Sequence, residues 1–483
     1  MLQNCIEDMK TRSPFFVTSL VAAAMFMELL DGTIIATALP QMAHAFHASA
    51  VSLNIGMTAY MLTLAVFIPI SGWMADRMGS RSVFAFAISV FTLASILCGF
   101  SNGVTEFVLA RILQGIGGAM MVPVGRLIVL RATPKEDLAK AIAYITWPAL
   151  SAPVIGPPLG GFITTYWSWR WIFFLNVPLG AIALGLTLLW VTNEFAETRH
   201  RFDWRTFVFA GVASTLFVYA LEALSQDHAN FRLALTLLVI SIVSGIVAVL
   251  TARKAAFPLI DLISLRLPSY AQAIYGGSLF RVAVSVLPFL LPLMFQIAFG
   301  LNAFHAGLYL LVLFAGDLSM KMAVIPILRR FGFRQVLLVN GVLAAISVAL
   351  CATLTPQMPI ILIALVLFAH GALRSLQFTG IGTLAYADIP SEHMSRANGF
   401  FSAVVQLSGS MGVATGAALV RASGWLRGHH TNPPALHDFH FAILVVSLLV
   451  LVSLLDALRL APDAGAVSSG HRAHLREAVA ATD

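Results

Sequence analysis

Along this chain apolar residues neither alternate nor keep to one helical stripe. They continue for about twenty positions at a time between short polar stretches. Crossing a bilayer as a helix takes about 20 mostly apolar residues, and runs of that kind lie at 15–38, 51–72, 82–101, 107–130, 138–165 and 170–192. The stretch 193–205 is the most polar of the first half and breaks the series. Two more runs follow at 206–225 and 231–252, then a connector at 253–268 with Arg253, Lys254 and Arg266. Six further runs lie at 269–299, 303–328, 333–354, 358–387, 394–420 and 439–460. The pattern predicts an all-α polytopic membrane protein of fourteen spans. It divides into an N-terminal six-helix bundle (1–192), a linker with two additional spans (193–268), a C-terminal six-helix bundle (269–460) and a small, polar tail (461–483) expected to be flexible.

Composition supports this reading. Of 483 residues 59% are hydrophobic and 11% charged, where a soluble domain carries about 25% charged residues. A single globular core could not hide that much apolar surface, so a soluble enzyme and a disordered chain are both excluded. Cys5, Cys98 and Cys351 lie far apart and make neither a disulfide framework nor a metal-ligand spacing. The formal net charge of +7 would point to nucleic acid in a soluble chain, but here it is read as topology, because Lys and Arg collect in cytoplasmic loops. With a cytoplasmic N-terminus, twenty of the 29 basic residues fall on that side and only Arg170, Arg232, Arg421 and Arg427 on the other. Both termini are therefore expected in the cytoplasm. The first run is too long for a cleaved signal and carries Glu28 and Asp31, so it is expected to remain as a span.

A faint internal duplication is legible. Gly72, Asp76, Arg77, Gly79 and Arg81 close the second span, and Arg329, Arg330, Gly332 and Arg334 close the tenth, at the same point of the second half. Transporters are commonly built from such repeats, with the substrate site near the midplane. Transport is thus the leading function. In the loop from Gly72 to Arg81, glycine permits a tight turn and the charges can act as a conformational latch.

Charges inside spans are the most informative residues, since each costs about 2.5 to 3.5 kcal/mol at a span centre on an insertion scale. The acids are Glu28, Asp31, Glu222 and Asp317; the bases are Arg111, Arg126, Arg281, Lys321 and Arg374. Glu28 and Asp31 are three apart, on one helix face, and two close carboxylates in a low dielectric can load and release a proton. Arg126 lies near a span end, where it can snorkel. Arg281 falls 12 residues into its span, about 18 Å at a rise of 1.5 Å per residue, and is the strongest substrate-side candidate. Arg374 and Gln377 are placed along the same cavity. Asp317 and Lys321, four apart, are expected to neutralise each other.

Four tracts resemble signature motifs of the major facilitator superfamily, in its order: Leu30 to Pro40, Gly72 to Arg81, Arg111 to Gly118 with Gln114, and Gly156 to Gly161. With fourteen spans the chain resembles the drug:proton antiporter branch of the EmrB/QacA type, over residues 15 to 460. The resemblance implies Asp31, with Glu28, as proton-coupling groups and Arg111 as the modulator of their charge. It implies an antiporter motif through Pro153, Gly156, Pro157, Gly160 and Gly161, whose prolines and glycines can bend the fifth span or seal it against neighbours. The chain departs from the family pattern at Ser80, Ala152 and Arg329. The last departure implies that the gate loop works fully only in the first half.

The expected function is proton-coupled efflux of small molecules, including drugs and toxicants, across the bacterial cytoplasmic (inner) membrane by alternating access. A substrate cavity would be lined by Arg281, Gln114, Arg374, Gln377, Lys321, Asp317 and Glu222. Five intramembrane bases against four acids open an alternative, export of an organic anion such as citrate, another carboxylate or its metal chelate. A non-transporting receptor or scaffold is the third class. His429, His430, His437, His440 and Asp438 cluster in one loop but read as solvated rather than metal-binding. No phosphate-cradling loop or nucleophile elbow is present, so neither a cofactor nor enzymatic chemistry is expected. Partners are a small-molecule substrate, protons and the lipid bilayer, not nucleic acid, for a chain expected to be a monomer.

Overall fold

Backbone N–H and C=O groups in hydrocarbon have no water to bond, so each apolar run must satisfy them internally as a helix. A computed structural model of the chain describes residues 14–133, 138–195, 201–224, 231–255, 258–260, 262–390, 394–427, 433–462 and 464–465, and among them contains helices and no strand. The N-terminal helices are α1 (Pro14–Ile34), α2 (Asn54–Met78), α3 (Ser80–Phe100), α4 (Val104–Ala132), α5 (Leu138–Tyr166) and α6 (Arg170–Trp190). Two follow, α7 (Trp204–Leu224) and α8 (Phe231–Lys254). Then come α9 (Pro268–Ala298) and a continuous stretch Ala303–Cys351 that breaks at Gly332, giving α10 (303–331) and α11 (333–351). The last are α12 (Ile360–Ala387), α13 (Met394–Leu426) and α14 (Leu436–Ala457). Among the described residues these make fourteen long helices, roughly at the positions of the apolar runs.

The chain separates into two compact units. One runs to Phe207 and includes Asn302–Gly307; the other holds Val208–Leu301 and the chain from Leu308 onward. The first unit's core is packed by Val21, Met25, Phe84, Phe91, Met121 and Val124 from α1, α3 and α4. The end of the polar linker joins this core: Phe202, Trp204 and Phe207 form an aromatic cluster on Trp73 and Phe67 of α2. In the second unit α7 and α8 are tied by hydroxyls, Ser241 Oγ donating to the Ala213 carbonyl at 2.7 Å and Ser244 Oγ to that of Phe209 at 2.8 Å. Such bonds replace a hydrophobic driving force that lipid does not supply between helices. Leu235, Val239, Ile242 and Ile246 of α8 are exposed, as a lipid-facing surface requires.

The duplication inferred from the two loops is repeated in the backbone. Gly79, between α2 and α3, has φ 90 and ψ 139; Gly332, between α10 and α11, has φ 72 and ψ 164. Both reversals use the positive φ that only glycine adopts without strain. Gly72, expected to help bracket the first turn, lies instead inside α2 with open space where a Cβ would point. The turn needs one glycine, not two.

Candidate functional site

The polar centre of the first unit is assembled by α4. Its Gly115 lies against Tyr60 and Thr63 of α2, and its Gly117 against the backbone of Ala87 and Phe91 of α3. A Cβ at either position would collide with those groups, so the glycines let three helices approach closely. Gln114, next to them, and Arg111, one turn earlier, are thereby brought to α1. Arg111 NH1 meets Asp31 Oδ2 at 2.6 Å and also donates to Gln114 Oε1 at 2.6 Å, while its Nε donates to the Gly56 carbonyl at 3.4 Å. Its guanidinium lies 4.1 Å from the centre of the Tyr60 ring, a cation–π contact that covers the remaining face.

The other carboxylate oxygen is equally committed. Asp31 Oδ1 accepts from Gln114 Nε2 at 2.9 Å and from Asn176 Nδ2 of α6 at 2.7 Å. Both amides also donate to Ser95 Oγ of α3, whose own proton goes to the Phe91 carbonyl. Five helices therefore converge on one buried carboxylate. An ion pair without water gains from its mutual attraction only when the remaining donors and acceptors are also satisfied, and here they are. Sequence reasoning singled out Asp31, Arg111 and Gln114 but missed Ser95, Asn176 and Tyr60. A lone amide in the apolar run around Asn176 was the available signal.

Glu28, one turn before Asp31, is buried too, but its Oε2 has no hydrogen-bond partner among the described residues, and neither has the hydroxyl of Tyr60. Gly118 of α4 lies beside both groups. Asp31 and Arg126 are charged groups near Glu28, and Arg126 is itself exposed. Two carboxylates on one helix face thus have opposite surroundings.

At the end of α2, Asp76 pairs with Arg131 of α4 at 3.2 Å, and Arg131 NH1 also donates to the Glu194 carbonyl at 3.3 Å. The strand of chain after α6 is fastened to the turn: Ser80 N–H donates to the Glu194 carbonyl, and Asn193 exchanges hydrogen bonds with Ser82. Arg77 rests on the Trp73 ring, and no ion pair of Arg81 is seen among the described residues. Arg131 and Asn193 are partners the sequence alone did not mark. In α5, which stays helical through Pro153, Pro157 and Pro158, Gly156 abuts Thr33 and Gly160 abuts Ile34 and Thr37 of the α1 segment, while Gly161 abuts Ala303 and Phe304 of the same unit. These glycines are close-approach points.

In the second unit the expected Asp317–Lys321 pairing is not the one formed. Asp317 pairs with Arg374 of α12 at 3.2 Å, while Lys321 Nζ donates to Thr379 Oγ1 at 2.9 Å. A guanidinium on the facing helix offers better geometry than a neighbour on the same helix. Gln377, placed with the cavity, is committed to packing: it donates to the Leu337 carbonyl and accepts from Asn340 of α11. Glu222 is buried on α7. Arg281 of α9 is 2% exposed, donates to the Ala273 carbonyl at 3.0 Å, and faces the rings of Phe401 at 4.7 Å and Phe378 at 6.0 Å. Its guanidinium turns back along α9 over Gly277, towards the start of the span. Of the histidine cluster, His429 and His430 lie outside the described residues. His437 stands beside Asp438 at 3.3 Å and His440 contacts the Leu354 carbonyl. Among the described residues no three metal-ligating side chains come together.

Two helical units of six and more spans, a buried ion pair between the first and fourth, and matching glycine turns define a membrane transporter architecture. A family model described as Major Facilitator Superfamily matches residues 21–413 and 273–474. The chain belongs to that family. It is 36% identical over 456 residues to "Putative multidrug resistance protein MdtD" of Yersinia pestis (strain Pestoides F), covering 92% of this chain and 96% of the relative. The protein of the same name from Yersinia pseudotuberculosis (serotype O:1b, strain IP 31758) matches equally. Among solved structures it resembles a D-xylose-proton symporter (TM-score 0.67, 16% identity, 93% of this chain and 99% of that one) and the human organic anion transporter MFSD10 (TM-score 0.59, 14% identity, 92% and 99%). At such identities these two likenesses speak for the fold alone.

Proposed function

We propose that the chain is a proton-coupled exporter of small molecules, drugs and toxicants among them, in the cytoplasmic membrane of a bacterium, with both termini in the cytoplasm, working as a monomer. The name of its MdtD relatives supports the substrate class, and the basic-residue bias supports the orientation. Proton coupling rests on one observation, the contrast between Glu28 and Asp31. Asp31 accepts three hydrogen bonds, one of them from Arg111, and both of its oxygens are engaged. Glu28 is buried with an open oxygen, and a carboxylate so placed is relieved only by a proton or by a cationic group. Glu28 is therefore the exchanging group, and Asp31 with Arg111 sets the field around it. Inward proton movement supplies about 2.3 kcal/mol per charge per 100 mV.

The test compares Glu28→Gln with Asp31→Asn in everted vesicles. Glu28→Gln is expected to fold normally, to keep downhill substrate movement and to lose its response to an imposed pH gradient. Asp31→Asn leaves Arg111 buried without its counter-ion, a loss of about 3–5 kcal/mol, and is expected to lower folded yield together with flux. Unchanged gradient-driven flux in Glu28→Gln removes the assignment.

A further inference from the structure

The two units each bury one arginine deep in a helix bundle, and the pair are provisioned differently. Arg111 has a carboxylate, a carboxamide, a backbone carbonyl and an aromatic face. Arg281 has one backbone carbonyl and two aromatic faces, and among the described residues no carboxylate pairs with it. A guanidinium carries five N–H donors in a planar fork suited to a carboxylate and does not give up its proton. Burying that charge without an anion is costly, and apolar rings offset only part of the cost.

The surroundings indicate what kind of anion completes the set. Phe401 and Phe378 flank the guanidinium, and Phe280 stacks edge-on against Phe378 at 5.8 Å. Arg374 approaches the same Phe378 ring at 5.6 Å but is already neutralised by Asp317. Phe378 and Tyr386 are only partly buried, whereas Phe401 and Arg281 are buried, and the Tyr386 hydroxyl donates to Asn398. The Gln272 side-chain oxygen on α9 is buried and has no partner among the described residues. Among the described residues no carboxylate of α9, α12 or α13 pairs with Arg281.

We infer that Arg281, with Phe378 and Phe401, forms a subsite for an aromatic carboxylate, whose carboxylate pairs with the guanidinium while its ring packs on the two phenylalanines. This rests on the transport reading and narrows its substrate class to compounds with an aromatic body and one negative charge. A small hydrophilic anion would leave the phenylalanine wall uncovered, and a lipophilic cation would be repelled by Arg281.

Equilibrium binding to the purified full chain in detergent tests this without transport, with 1-naphthoate and its neutral isostere 1-naphthamide as probes. Wild type is expected to bind naphthoate at least about ten-fold more tightly than naphthamide, ten-fold being the worth of about 1.4 kcal/mol. Arg281→Gln is expected to erase that preference while leaving naphthamide affinity unchanged, and Arg281→Lys, which keeps the charge but not the fork, to retain part of it. Equal affinity of wild type for the two probes, or binding of neither, overturns the subsite whether or not the variants fold. So does a naphthoate preference that survives Arg281→Gln. Gradient-driven efflux of other compounds would stand in those cases, since Glu28 and Asp31 lie in the other unit.

Discussion

At the scale of single residues, Asp31, Arg111, Gln114, Asn176 and Ser95 of the first unit form one connected hydrogen-bond circuit. Asn176 is its most informative member, because an amide on α6 does nothing for helix formation and everything for Asp31. Asn176→Ala removes a 2.7 Å hydrogen bond to a charged group, worth about 1.5–3 kcal/mol. A correspondingly lower melting temperature of the purified protein in detergent is expected, and an unchanged one would mean that the circuit is not connected as described. The sequence made Asp31, Arg111 and Gln114 legible because they stand out as charges or motif members in apolar runs. It did not mark Ser95 or Tyr60, since a serine or tyrosine in a span is ordinary, and only the crossing of α2, α3 and α4 at Gly115 and Gly117 makes them neighbours of the ion pair.

At the scale of elements, the turns after α2 and α10 are the same device used twice, and the first is additionally clamped. A Cβ on Gly79 would strike the Asn193 side chain, and its positive φ is strained for any other residue. Gly79→Ala is expected to destabilise by about 1–3 kcal/mol from the backbone alone, with the collision added. In a double-mutant cycle Asn193→Ala relieves the collision and not the backbone strain, so the pair should cost less than the two single changes together. Strict additivity in melting measurements would show that Asn193 does not clamp the turn. The sequence placed both glycines of the repeat correctly but gave Gly72 a turn role that belongs to Gly79 alone, because spacing does not say where a helix stops. It also paired Asp317 with Lys321 on one helix, where the facing α12 supplies Arg374 instead.

At the scale of the whole molecule, the positive-inside count gives a topology that can be tested directly. Fourteen is an even number, so both ends are expected on one side. An alkaline phosphatase reporter, active only outside the cytoplasm, is expected to be active when inserted after Arg427, between α13 and α14, and inactive after Gly79, between α2 and α3. The opposite pattern would invert the orientation. The two units also divide the electrostatic work unequally: the first holds a satisfied ion pair beside an open carboxylate, the second a guanidinium that no acid among the described residues pairs with.

What the sequence by itself determined was the number, order and approximate ends of the spans, the twofold repeat and the set of charges sunk among apolar residues. These follow from local causes: the length a helix needs to cross hydrocarbon, the cost of a charge there, and the glycine a sharp reversal demands. Only the tertiary structure decided which partner each charge takes. Asp31 found Arg111 and two amides from other helices, Asp317 took Arg374 over Lys321, and among the described residues Glu28 and Arg281 were left without an ion-pair partner. Pairing depends on a few ångströms between side chains tens of residues apart, and that distance is set by how closely helices pack, which no stretch of one helix contains.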